Sequence, residues 1–436
     1  MLIFRKNPAD FTRNRLLTLQ HTIGLLLSMT ASRNGNGYDI SSQNYFRELG
    51  ARLGEDIDPA RHQSVSDARS KLHWQALEYL LAESNLEVES LPPQLCFKGH
   101  ITRAIDGTSF FTPRSDDLLL HFSPRKTKAE EGETHYPYGL CVAAINVYTG
   151  QPVRAIVDDY RASERSLLKA MIGGFCPGDL SLLDRGLGGA QVYLEYKKHE
   201  QFFVHRSKTT GDRVAGYIQS FLDSGKKQRA VEIIVMDEET GVEITLPLRL
   251  IRGPEDSEGK PIVFVTNLLE RKLYSRNDIL SLYQKRWSVE TLYGRVKNLL
   301  CLEKFHSRSY NGVMQEIFAN LLILSLTAVA VTAVVVEDNI NIETTLPSFK
   351  NAAESIRRHL FSVVDHRIKG IKPKKVMKQI LNEVRAVMYT IRPGRSYPRV
   401  SMQPIKSWNL KKSAKLKAFA KQKAAPGPRV RMQLNG

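Results

Sequence analysis

Apolar positions recur with two different periods along this chain, and the change between them divides it. Up to about residue 90 the spacing is near 3.6 and predicts an all-helical region. One helix is expected from Thr12 through Met29, another from Ser41 or Ser42 through Leu53, and a third from Ser64 or Ser66 into the eighties. Each opens on a hydroxyl side chain that can cap a helix. RNGNG at Arg33–Gly37 reads as a loop. SVSDARSKL sets Arg69 and Lys71 near the start of the third helix, where a groove-reading helix carries its contacts. LPPQ, Leu91–Gln94, closes this region and a period of two begins. Cys96–Asp106 is a predicted strand, and Gly139–Tyr160 is a hairpin about Thr149-Gly150. Leu180–Leu183 is a short apolar strand ending at Asp184. Phe202–Val204 is another, followed by His205-Arg206-Ser207-Lys208. Helices from Ser163 to about Ile172 and from a Gly-rich turn to near Lys198 alternate with them. The order predicts a mixed α/β sheet with carboxylates at strand ends.

Strand-like runs dominate from 211 to 270, at Ala230–Met236, Val242–Ile251 and Pro261–Asn267, and read as a β-rich insertion. Leu282–Leu299 then predicts a helix with two faces. Leu282, Val289, Leu292, Val296 and Leu299 form a core-facing stripe, while Tyr283, Arg286, Glu290 and Lys297 gather on another sector. Periodicity alone makes that second sector a solvated charged face with an Arg286–Glu290 pair. Gly312–Val336 is an apolar helix. Its stretch Leu321–Val336 is short for a membrane span and carries Ser325, Thr327 and Thr332, so a buried helix is expected. A further helix is predicted from Lys374 to Met388. The segments are thus 1–90 helical, 91–210 and 271–340 as two parts of one core, 211–270 inserted, 341–391 helical, and 392–436 a tail.

Charge changes the picture more than composition does. Hydrophobic residues make up 42% and charged ones 25% of 436 residues, as in ordinary globular chains. But 63 Lys+Arg against 45 Asp+Glu give +18, which points to a polyanionic partner, nucleic acid before anionic membrane. The tail carries a dozen Lys and Arg and no Asp or Glu. Without an apolar helical face to go with it, membrane binding is not expected. Cys96, Cys141, Cys176 and Cys301 are too dispersed for a zinc site or a disulfide framework, and suit reduced residues of a cytoplasmic protein.

Three acids stand out by context: Asp106 in AIDGTSFF, Asp184 in LSLLDRGLGG, and Glu290 on the two-faced helix. Either aspartate alone is an ordinary turn former. Together, carboxylates at neighbouring strand ends and one on a packed helix can hold two Mg²⁺ ions for phosphodiester chemistry.

Tyr283, Arg286, Glu290 and Lys297 also keep a spacing of two, three and six intervening residues. With FVTNL before them, FHSRS after them, IDGT, LLDRG, FVHRSK and SVSDARSKL, the chain resembles DDE transposases of bacterial insertion sequences of the YREK branch. The resemblance covers about residues 10–335. It implies a ribonuclease-H-like mixed sheet core with a β-rich insertion, preceded by an all-helical DNA-binding domain. It implies Asp106, Asp184 and Glu290 as catalytic acids holding Mg²⁺, replaceable by Mn²⁺. Tyr283, Arg286 and Lys297 would hold phosphates at the transposon end, with Arg206 and Lys208 contacting DNA nearby. The expected protein is a homodimer on double-stranded DNA that cleaves and transfers strands at inverted repeats. A catalytically silent repressor and a site-specific endonuclease on the same core are the alternatives. Better-known relatives hold a flipped base on a Trp of the insertion; none lies between Asp184 and Trp287, which leaves Tyr217 and Phe221 for stacking.

Overall fold

The computed structural model describes residues 2–13, 15–30, 37–86, 92–126, 133–211, 214–256, 259–287, 305–364 and 373–391. Four helices come first: α1 (Leu19–Thr30), α2 (Tyr38–Leu53), α3 (His62–Ser70) and α4 (Gln75–Leu86). The expected third helix is therefore two, broken at Lys71–Trp74. Arg69 lies in the last turn of α3 and Lys71 just beyond it, not near a helix start. Helix α2 begins at Tyr38 after Gly37, with Ser41 and Ser42 buried inside it rather than capping it.

The sheet follows as β1 (Thr102–Phe111), α5 (Asp116–His121), β2 (Ser123–Lys126), β3 (Glu133–Asn146), β4 (Pro152–Asp159), α6 (Glu164–Ile172), β5 (Leu180–Leu183), α7 (Ala190–Lys198) and β6 (Phe202–Ser207). Strands β3 and β4 are the expected hairpin, and β5 matches its predicted range. Four residues suffice for β5 because all are buried, as befits a strand between two parallel neighbours. Strand β3 is antiparallel to β1 and β4, while β1, β5 and β6 run parallel. The order β4-β3-β1-β5-β6 with one reversed strand is the ribonuclease-H-like core.

The inserted segment is α8 (Gly216–Asp223), β7 (Gln228–Met236), β8 (Glu243–Glu255) and β9 (Pro261–Thr266). It does not form a sheet of its own. Strand β9 pairs with β6, and β8 and β7 follow, so the core sheet runs on through the insertion. Helix α9 (Arg276–Gln284) comes next, opened by a reciprocal Ser275–Asp278 capping box. A 3₁₀ turn, Lys285–Trp287, continues it. The expected helix Leu282–Leu299 thus starts earlier, at Arg276, and residues 288–299 lie outside the described residues.

Helix α10 (Tyr310–Glu337) is apolar on nearly every side and buried along most of its length. Leu26 and Leu27 of α1, Leu77 and Leu81 of α4, and Ala104, Cys141 and Ile145 of the sheet share one core with it. Its far end packs with Val376, Ile380, Leu381 and Val384 of α12 (Pro373–Arg385). Helix α11 (Phe349–Val364) adds Leu360 to the first of these cores. The pair β10 (Thr345–Pro347) and β11 (Met388–Thr390) closes this end. Some polar groups inside α10 are satisfied within the helix, as where Thr327 Oγ1 donates to the Ile323 carbonyl at 2.7 Å, and others by neighbours, as where Gln151 Nε2 donates to Ser325 Oγ at 2.9 Å. The amino-terminal helices therefore form one unit with the sheet over residues 1–391.

Candidate active site

Register builds the site. The parallel pairing aligns Ile105 with Leu183, and Leu183 with His205. The next residue on each strand is Asp106, Asp184 and Arg206. Two carboxylates and a guanidinium are thus set in a row across three strands spaced about 4.8 Å apart. Asp106 does not end β1, which runs on to Phe111; what ends there is its pairing with β5. Asp184 does leave its strand, into a loop whose Gly186 and Leu187 N–H groups donate to its Oδ1 at 2.8 and 3.2 Å. Gly107 N–H donates to Asp106 Oδ1 at 2.9 Å.

The acids repel one another. Burial pushes the Asp106 carboxyl up to about 6, and Asp184 and Glu164 add to that, against the pull of the Gly107 N–H and Arg286. Glu164, at the start of α6, is itself raised by burial and by Asp184. Its Oε2 and Asp184 Oδ1 lie 3.9 and 3.3 Å from the point a Cβ on Gly186 would occupy. Its other oxygen fills the place of a Cβ on Gly107. No signal in the sequence sets Glu164 apart; the turn before α6 brings it in.

The basic residues divide into two kinds. Arg286 is half-buried, lies 6.0 Å from the Tyr283 ring and acts electrostatically on Asp106. Arg206 is half-buried, pairs with Asp256 at 3.8 Å, and is held below the usual arginine range by burial and by Arg185 and Arg286. Arg185, exposed beside Asp184, belongs with them; its place in LLDRG was the signal for it. Lys208 is exposed just past the end of β6. Tyr283 differs. It is buried against Phe264, ring centroids 4.6 Å apart, and its hydroxyl donates to the Leu183 carbonyl at 2.9 Å. That bond anchors α9 to the residue preceding Asp184.

Arg69 is 4% exposed, ion-paired with Glu316 at 2.9 Å, and donates to Gln315, the Gly312 carbonyl and Tyr38. Such a guanidinium ties α3 to α10. Lys71 is half-buried and lines a groove of about 730 Å³ with Arg13, Arg15 and Arg61. Phe221 is fully buried, which removes it as a stacking platform; Tyr217 is half-buried. Glu290 and Lys297 lie outside the described residues.

Asp106 and Asp184 supply the hard oxygen donors that Mg²⁺ accepts, and a dication beside them would relieve their repulsion. Among the described residues no three acidic, His or Cys groups close around a single point. The pair fits two ligands of a site that needs a third.

A family model described as the transposase DDE domain matches residues 98–326. No curated protein matches the chain. A cryo-EM structure of a piggyBac transposase synaptic complex with hairpin DNA aligns over 86% of this chain and 79% of its own. It shares 10% identity, with a TM-score of 0.43.

Proposed function

The chain belongs to the transposase DDE domain family, and from that premise we propose that it cleaves and transfers DNA strands at the inverted repeats of its own insertion sequence. The branch is that of Tyr283, Arg286, Glu290 and Lys297. The observation that carries this reading is the register that sets Asp106, Asp184 and Arg206 abreast on adjacent parallel strands.

Asp106, Asp184 and Glu290 would hold Mg²⁺, as two ions, with Mn²⁺ able to replace it. When bound, the metal supplies an activated hydroxyl nucleophile and offsets charge on the leaving oxygen. The chain's own cations do the rest. Arg286, half-buried beside Asp106, offers a bidentate fork to the scissile phosphate. Arg206 and Arg185 hold the neighbouring phosphate on the Asp184 side, and Lys208 and Lys297 extend the track as point charges. Partial burial of Arg286 and Arg206 lowers the local dielectric, so these two position the phosphodiester more firmly than surface lysines would. Tyr283 acts at one remove, fixing the height of β5 through the Leu183 carbonyl. Two protomers would pair the two ends, acting on double-stranded DNA in the cytoplasm.

The test uses the full-length protein and a duplex carrying the element's end. Asp106→Asn and Asp184→Asn should each cut Mg²⁺-dependent cleavage by on the order of 10³-fold or more. Binding of the same duplex in a gel shift should stay within about two-fold, because phosphate contacts and not the acids provide affinity. Wild-type cleavage by either variant rejects the reading.

A further inference from the structure

We propose that His205, held by Tyr193 and Tyr217, is a positioning residue that sets the backbone of the Asp184 loop from beneath; this rests on the reading of Asp184 as a catalytic acid. His205 belongs to the FVHRSK stretch, whose cations face DNA in the proposed function but whose imidazole has no part in that scheme. It is 4% exposed and stands level with Leu183 in the parallel register, one residue before Asp184. The loop after Asp184 folds over it. Gly188 has no room for a Cβ because all three of the nearest heavy atoms are in the His205 ring.

Hydrogen bonds give the ring a direction. Nδ1 lies 2.6 Å from the Tyr193 hydroxyl. Tyr193 is stacked on Phe203, centroids 4.6 Å apart, and is hydrogen-bonded in turn to Tyr217 on α8. Nε2 is buried with no hydrogen-bond partner among the described residues, and the backbone of Asp184 and Arg185 lies beside the ring.

A hydrogen-bonded chain thus runs from Tyr217 on α8 in the insertion, through Tyr193 on α7, to His205 on β6, whose ring packs under the loop that carries Asp184. A side chain locked by packing and by a supporting hydrogen bond holds whatever rests on it in place. A displacement of about 1 Å at a catalytic group costs on the order of 10²-fold in rate.

The experiment compares Tyr193→Phe, Tyr217→Phe, His205→Gln and His205→Phe in the full-length protein, with Asp184→Asn alongside. Single-turnover Mg²⁺ cleavage, affinity for the end duplex and melting temperature are measured for each. Glutamine keeps a polar group within reach of the Tyr193 hydroxyl, so His205→Gln should stay within about three-fold of wild type, while Tyr193→Phe and His205→Phe should lose about ten- to a hundred-fold. Tyr217→Phe should fall between them, and all four should bind the duplex like wild type. In ¹⁵N-histidine-labelled protein the ring nitrogen signals of His205 should shift in Tyr193→Phe, because the bond to Nδ1 is lost. Should His205→Phe fail to fold, Tyr193→Phe, which removes one oxygen, decides. Wild-type cleavage by Tyr193→Phe, unchanged His205 ring signals in that variant, or losses of binding and cleavage in step with melting temperature overturn the proposal. Cleavage by Asp184→Asn would instead bring down the reading beneath it.

Discussion

Asp106 is a residue whose surroundings work against its own charge. Its carboxyl is raised from an ordinary value near 3.8 to about 6 by burial and by Asp184 and Glu164. The folded metal-free protein therefore holds that proton more tightly than the unfolded chain does. The cost of ionising it sets in as pH rises from about 4 and is complete above about 6, worth roughly 1–2 kcal/mol after solvent screening. Asp106→Asn should therefore raise the melting temperature of the metal-free protein by a few degrees at pH 7.5 and leave it unchanged at pH 4. Equal melting of the two proteins at pH 7.5 would show that the repulsion is not felt. Asp106 and Asp184 were legible in the sequence because each follows an apolar run and is followed within two residues by glycine. Glu164 and His205 were not, since nothing local separates them from any helix-start glutamate or strand histidine. Tyr283 was legible as part of a motif, but its bond to the Leu183 carbonyl was not, because no local pattern says which carbonyl a phenol will reach.

At the scale of elements, α10 is what the amino-terminal helices and the sheet share, and Glu316 is its polar fastening. Burial opposes ionisation of Glu316, but Arg69 and His306 overcome it and hold the carboxyl below its usual range. His306 and Ser307 N–H groups donate to its two oxygens at 2.9 and 3.1 Å. SVSDARSKL and FHSRS, far apart in sequence, thus meet on one carboxylate. Helix periods and caps located α6, α7 and α10 closely, but no local pattern reports a contact between residues 69 and 316. Removing one partner of a buried pair leaves the other uncompensated, so Arg69→Ala should cost about 3–5 kcal/mol in urea unfolding. Arg69→Met combined with Glu316→Leu should cost less than Arg69→Ala alone, because no charge is then stranded. A loss under about 1 kcal/mol for Arg69→Ala would mean the pair is hydrated and the fastening lies elsewhere.

For the whole molecule, the described fold and most of the excess charge lie in different parts of the chain. Residues 1–391 form one unit in which the insertion extends the core sheet through β9. The strands of that insertion were legible from their period of two, but their pairing partner was not, because an edge strand reads alike whichever sheet it joins. The tail from Arg392 contributes a dozen cations and no acid, two-thirds of the net +18. If strand cleavage is the work of the folded unit, the tail's contribution to DNA is counterion release, which depends on salt and not on sequence. A chain ending at Ile391 should therefore melt within about a degree of the full-length protein, since the five core clusters of the described residues hold together without the tail. Its affinity for random duplex should fall, and the slope of log K against log salt should flatten by about 0.9 for each phosphate that the tail had neutralised. Preference for the element's end over random DNA should rise, because the non-specific part of binding is what has been removed. An unchanged salt slope would place the non-specific contacts on the folded unit, with the Arg13, Arg15, Arg61 and Lys71 groove as the surface that carries them.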